Sequence, residues 1–196
     1  MRRLLAAIES GDIQLVERLI VKGAKVNGEH WHETPSSCAI RKNQTQILAL
    51  LIRHGLDLRG GGDDAIEIPA INAARYGHVH ILALLIRHGV DPRFADDELF
   101  AGAAFHNQPA VLKFLAATIF APDRWRGKTF LDIQKEAEIV ERNILKGLPD
   151  DPEEFKDVIR PARLVLFDAA MTCWEHVRPD PPKINISDIP AKGKAL

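Results

Sequence analysis

Apolar residues in this chain recur on a helical beat. Ile47, Leu50 and Leu51 follow the i, i+3, i+4 spacing of one helix face, and Leu48 and Ile52 widen it, so the helix must be covered on more than one side. The nine-residue run Ile47 to Gly55 returns unchanged at Ile81 to Gly89, 34 residues later. A fixed period of this size means stacked supersecondary units, none able to bury its apolar face alone. Ile81, Leu84 and Leu85 are therefore expected to pack on their earlier counterparts. Pro35 and Pro69, also 34 apart, each open an upstream helix, where the missing N–H costs nothing. The small pairs Ala6-Ala7, Ala73-Ala74 and Ala103-Ala104, with Ala39, keep these first helices thin and predict a curved stack with a concave face. Gly23, Gly55 and Gly89 each follow a turn residue, Gly11, Asn43 or Gly77, by twelve positions. Each unit reads proline, helix, turn, helix, glycine.

Taken together, these spaced positions resemble the ankyrin repeat, whose 33-residue pattern joins a TPLH-like start, a central glycine and an apolar second helix ending in a glycine-containing turn. Leu4 to Asn27 resembles an opening repeat without its hairpin, with Gly23-Ala24 and Asn27 at family positions. Thr34 to Arg59 and Ile68 to Arg93 resemble internal repeats, with Leu56-Asp57 and Val90-Asp91 where the family usually has Ala-Asp. Leu99 to Ile119 is a fainter fourth, Asn107 replacing the central glycine and Pro109 opening its second helix. Gly127-Lys128-Thr129-Phe130-Leu131-Asp132 restarts the pattern as a fifth, divergent unit reaching about Leu148. Ser36-Ser37 departs from the family's Leu-His, Gly60-Gly61-Gly62 lengthens one connection, and Phe120 to Arg126 is irregular.

The resemblance implies an all-α fold, an ankyrin-like solenoid of stacked helix-turn-helix repeats with short hairpin fingers. Units are expected at about 2–27, 28–59, 60–93, 94–119 and 123–148, followed by a helical cap over 149–178 and an extended or disordered tail over 179–196. Asp150-Asp151-Pro152 would start the cap helix, Val158, Leu164, Leu166 and Phe167 would dock it, and Pro161 would kink or split it.

Composition narrows the function classes. With 196 residues, 46% hydrophobic, and a net charge of -1, the chain can bury a continuous core but lacks the basic excess of a dedicated nucleic-acid binder. Two distant cysteines, Cys38 and Cys173, make neither a disulfide framework nor a zinc ligand set. The apolar stretch Leu4 to Ile8 is broken by Glu9, too short for a secretory signal, and no segment reaches the length of a membrane span. A cytoplasmic location and no membrane attachment are expected.

Catalytic signals are weak. Gly127-Lys128-Thr129 imitates the end of a phosphate-binding loop, yet Pro122 stands where its earlier glycine is required. His30 and His32 have the spacing of two ligands on one side of a strand, with no third ligand at matched spacing. The pairs Asp63-Asp64, Asp96-Asp97 and Asp150-Asp151 sit at turns or helix starts, where capping explains them, and no placed nucleophile accompanies them. No enzyme activity, metal or cofactor is expected.

What the resemblance implies instead is protein binding through the finger tips and the concave face. The tips are His30, Trp31, His32 and Glu33; Asp63 and Asp64; Asp96 and Asp97, within Phe94 to Asp97; and Arg124, Trp125 and Arg126. The concave positions are Glu9 and Ser10, Arg41 and Lys42, Arg75 and Tyr76, Phe105 and His106. Trp31 and Trp125 either project toward a partner or fold back over neighbouring repeats. Arg41, Lys42 and Arg75 form a basic strip suited to an acidic surface of another protein. The expected role is a stoichiometric protein-binding module, monomeric when free, that acts as an inhibitor or immunity-type protein neutralising an enzyme or toxin, an assignment favoured by compact size and the absence of a second domain. The alternatives are an adaptor or scaffold, a delivered effector and, behind these, a nucleic-acid binder using Arg41, Lys42, Arg75 and Arg124 to Arg126.

Overall fold

The computed structural model describes residues 2–27, 33–58, 69–146 and 156–179. Those residues form eleven helices: α1 (Arg2–Glu9), α2 (Ile13–Val21), α3 (Pro35–Arg41), α4 (Thr45–Arg53), α5 (Pro69–Arg75), α6 (Val79–Arg87), α7 (Phe94–Phe105), α8 (Pro109–Ile119), α9 (Pro122–Trp125), α10 (Phe130–Lys146) and α11 (Lys156–Val177). The first helices α1, α3, α5 and α7 pack in one row, and the second helices α2, α4, α6 and α8 in another. This is the all-α solenoid the period predicts.

Turn chemistry sets the helix ends. α1 through α7 each close with an N–H reaching the carbonyl five residues back, as in Leu56 N to Leu51 O at 3.1 Å and His78 N to Ala73 O at 2.9 Å. That closure requires a left-handed residue, and the chain supplies glycine or asparagine each time: Gly77 has φ 79°, while Asn43 and Asn107 take φ 54° and 52°. At the start of α3, Thr34 and Ser37 cap one another reciprocally, with Pro35 in the first turn. So the departure Ser36-Ser37 is put to use within its own unit. Units are also tied directly: the Asn27 amide donates to the Gly55 carbonyl at 3.0 Å and accepts from the Asp57 N–H at 2.9 Å.

The duplicated block supplies the centre of the core. Ile47, Leu48, Leu50 and Leu51 of α4 and Ile81, Leu82 and Leu85 of α6 are buried, joined by Ile8, Ile40, Phe100 and Leu115 in one cluster running the length of the stack.

Beyond the third unit the structure departs from the sequence reading. Phe94 to Asp97, expected as a finger tip, form the first turn of α7. That stretch holds neither Gly nor Pro to stop a helix. Among the described residues, the expected fifth unit at 123–148 consists of the four-residue α9 and one unbroken seventeen-residue helix, α10. Between Phe130 and Ile139 the chain offers no glycine or asparagine to make the central turn. Thr129 and Asp132 cap α10 instead, the Thr129 N–H donating to Asp132 at 2.9 Å and the Asp132 N–H to Thr129 Oγ1 at 3.2 Å.

α10 packs on α7 and α11 packs on α8, so the fifth layer is built from these two long helices. Their buried stripes are Ile133, Ala137, Val140 and Ile144 on α10, and Ala162, Leu166, Ala170 and Cys173 on α11. α11 runs through Pro161 undivided and ends at Val177. Leu166 docks as expected, but Leu164 is 64% exposed. The cap start Asp150-Asp151-Pro152 and the tail from residue 180 lie outside the described residues.

Candidate protein-binding surface

The first-helix row places chemically different side chains at equivalent positions of successive layers. The residue ending each first helix is Glu9, Arg41, Arg75 and Phe105 in turn, and the next is Ser10, Lys42, Tyr76 and His106. All eight are exposed.

In the first two layers Glu9 and Arg41 of this ladder pair with each other. Arg41 Nε donates to Glu33 Oε1 at 3.0 Å, and its Nη2 pairs with the same carboxylate and with Glu9 at 3.4 Å. The hydrogen bond to Glu33 and that residue's charge, with help from Glu9, push the guanidinium further into the protonated range. Arg41 is thus already neutralised by two carboxylates and is not an open cation of the expected basic strip. One layer's spacing in sequence, 32 residues, separates Glu9 from Arg41, so their pairing follows from the repeat register itself.

Glu9, Glu33 and Cys38 bring donor atoms within 4.8 Å of one another, a grouping with the ligand types of a metal site. Arg41 offsets one of its two carboxylate charges. Burial, reinforced by the charge of Glu33, pushes the Cys38 thiol up, away from the thiolate a metal would need.

The third and fourth layers differ. Arg75 lies across α7, its Cγ 3.5 Å from where a β-carbon on Gly102 would stand, so the absence of a side chain at Gly102 makes its bed. Among the described residues neither Arg75 nor Lys42 has an ionic partner. Tyr76 is 50% exposed and Phe105 51%, large values for aromatic groups on a folded surface. The Tyr76 ring stacks toward His78, centroids 6.0 Å apart, and Phe105 tilts against His106 at 5.3 Å. Glu33, Ser37, Arg41, Asn72 and Tyr76 line a cleft of about 290 Å³ between α3 and α5. Arg75, Tyr76, Phe105 and His106 therefore form an aromatic and cationic patch beside a polar cleft.

Other expected contact residues fare differently. His30, Trp31, His32, Asp63 and Asp64 lie outside the described residues. Asp96 and Asp97 belong to α7 rather than to a tip. Trp125 folds back: its indole N–H donates to the Ile119 carbonyl at 2.9 Å and its ring stacks on Phe120, centroids 5.9 Å apart at 26°. It serves the chain's own packing and is not an open anchor. Arg124 leans toward the Thr118 carbonyl at 3.5 Å, and Arg126 pairs with Asp123 at 3.1 Å on a fully exposed edge, where such pairs contribute little. Among the described residues no helix is long and apolar enough to cross a membrane.

Sequence reading overlooked a second cleft of about 520 Å³ where α8, α9 and α11 meet. Its α11 wall, Val165, Asp168, Ala169, Thr172, Cys173 and His176, follows helical spacing, but that face could not be singled out before the neighbours of α11 were known.

A family model described as ankyrin repeats matches residues 4–96 in three copies. No curated protein matches the chain. Ankyrin repeats are protein-interaction modules of a typically non-catalytic family, and the matched residues cover the first three helix pairs and the start of α7, with their glycine and asparagine turns. With the helix order, the turn chemistry and the family match in agreement, residues 4–96 of the chain are ankyrin repeats.

Proposed function

We propose that this protein binds a partner protein on the first-helix row, centred on the third and fourth layers, and that it inhibits that partner by covering its working surface. The observation that carries the reading is the pair of half-exposed aromatics, Tyr76 and Phe105, beside Arg75. Tyr and Arg are the residue types that dominate interface energetics when a partner desolvates them. Phe105 adds apolar area at the same place. The internal pairing of Arg41 with Glu9 and Glu33 supports a partner footprint shifted toward the fourth layer, with Lys42 and Arg75 as the cations offered to an acidic group.

Inhibition is favoured over scaffolding because the half-exposed aromatic groups of the row sit in one place, sized for one partner. An adaptor would use a second surface as well. The test compares wild type with Arg75→Ala, Tyr76→Ala and Phe105→Ala combined, the variant first shown by circular dichroism to be folded. Captured partner should fall by more than about 30-fold, the loss of at least one interface hot spot of ~2 kcal/mol. The purified partner's activity should drop on adding wild type at one-to-one stoichiometry and remain unchanged with the variant. Equal capture by both proteins would move the interface off this row. Undiminished partner activity in the complex would replace inhibition with scaffolding.

A further inference from the structure

α11 turns its buried stripe, Ala162, Leu166, Ala170 and Cys173, toward the stack. At about 100° per residue, Arg160, Leu164, Met171 and Glu175 fall on the opposite side, apart from the first-helix row and unused by the reading above. All four are exposed, Leu164 at 64% and Met171 at 46%. Among the described residues neither Arg160 nor Glu175 has an ionic partner. Phe167 widens the apolar area toward α10. The Arg163 guanidinium lies over its ring, 5.7 Å from the centroid, and pairs with Glu141 at 2.9 Å, so that cation is already employed. A single exposed leucine is ordinary, but this one belongs to a pattern: cation, apolar, apolar, anion, spaced four, seven and four residues apart.

We infer that this side of α11 docks on the same side of a second copy of the chain, the two helices antiparallel about a two-fold axis between residues 167 and 168. Charge complementarity commits it to that occupant. The spacing reads the same in both directions while the charge changes sign. An antiparallel copy therefore sets Leu164 against Met171 and Arg160 against Glu175, each pairing made twice, as a self-complementary interface requires. A parallel copy sets arginine on arginine and glutamate on glutamate. The two ion pairs stand about 22 Å apart along the helix, so they form at opposite ends of the contact. Phe167 meets its own copy on one side of the axis and adds apolar area there. Asp168 is exposed and meets its own copy on the other, a repulsion that weakens the contact. One helix face is also a small interface, so a dissociation constant in the micromolar range is expected. The free protein is then a weak dimer in place of the expected monomer, with its first-helix row left open on both copies.

The test is sedimentation equilibrium of the full chain from micromolar to millimolar concentration, fitted for a monomer–dimer constant. Leu164→Asp should weaken the dimer by about 100-fold or more, since two leucine side chains lose their burial. Arg160→Glu and Glu175→Arg should each weaken it by about fivefold, and the two combined should restore it, because the exchanged pairs re-form in reverse. Asp168→Asn should tighten it by removing the repulsion at the axis. All four positions are exposed, so the variants should fold, which circular dichroism checks. A monomer at every concentration, a dimer indifferent to Leu164→Asp, or a double charge exchange no better than either single one would each overturn the assignment. The last outcome would leave a dimer built on another face or with the helices parallel.

Discussion

The duplicated block allows an experiment in which local sequence is held constant and only tertiary surroundings differ. Leu50 and Leu84 occupy the same place in the identical run Ile-Leu-Ala-Leu-Leu-Ile-Arg-His-Gly, so replacing either by alanine changes helix propensity and unfolded-state behaviour by the same amount. Their burial differs: Leu50 is 2% exposed between its neighbours, while Leu84 is only half-buried. Leu50→Ala removes methylene burial of about 0.8 kcal/mol per carbon and leaves a cavity, which puts its cost at ~2–5 kcal/mol. Leu84→Ala loses only part of that burial and leaves a dent open to water, so about 1–2 kcal/mol is expected. Urea unfolding followed by circular dichroism should show a lower midpoint for Leu50→Ala, with similar slopes for both variants. Equal costs, or a larger cost at Leu84, would refute the claim that layer-to-layer packing rather than the repeat sequence sets stability here.

Other perturbations probe separate links. Gly55→Ala should cost about 1 kcal/mol from its left-handed backbone alone, since a β-carbon there meets open space. Gly77→Ala should cost more in the same thermal melts, because its β-carbon would collide with Gln108 Oε1 and dislodge the bond from Gln108 Nε2 to the Arg75 carbonyl. Burial holds the His78 imidazole below its ordinary value, the Ile40 carbonyl opposing in part. The unfolded chain therefore takes up this proton first. The stability His78 allows is complete above the ordinary imidazole range and declines as pH falls through it. His78→Gln, which copies the residue that Gln44 and Gln108 place at equivalent positions, should flatten the fall in melting temperature between about pH 7.5 and pH 5.5. Trp125→Phe should destabilise by about 1 kcal/mol through the orphaned Ile119 carbonyl, and an unchanged midpoint would show that water replaces the bond. Cys38 and Cys173, both buried and both with thiols pushed up by burial, should resist alkylation in the native protein and react together on denaturation.

Much of this protein is written locally. A 34-residue period, a glycine or asparagine where each turn needs a left-handed residue, and proline in the first turn of α3 and α5 are short-range instructions, readable because backbone sterics act within a few residues. The inner positions Glu9, Arg41, Arg75 and Phe105 were legible for the same reason, the register fixing which residues share the row. What sequence could not rank was which of those charges is already answered by its own chain. That depended on Glu9 and Glu33 meeting Arg41 from another layer and another segment.

Where the repeat fades, local instruction gave way. Phe94 to Asp97 joined a helix, Trp125 turned inward on Phe120, and the fifth layer was assembled from α10 and α11, which only packing on α7 and α8 could pair. Sequence by itself determined the helices, their turns and the stacking period. Tertiary structure decided how deeply each copy of the same nine residues is buried, that Arg41 of the ladder is already paired, and where the α11 cleft lies, because burial and pairing depend on neighbours distant in the chain.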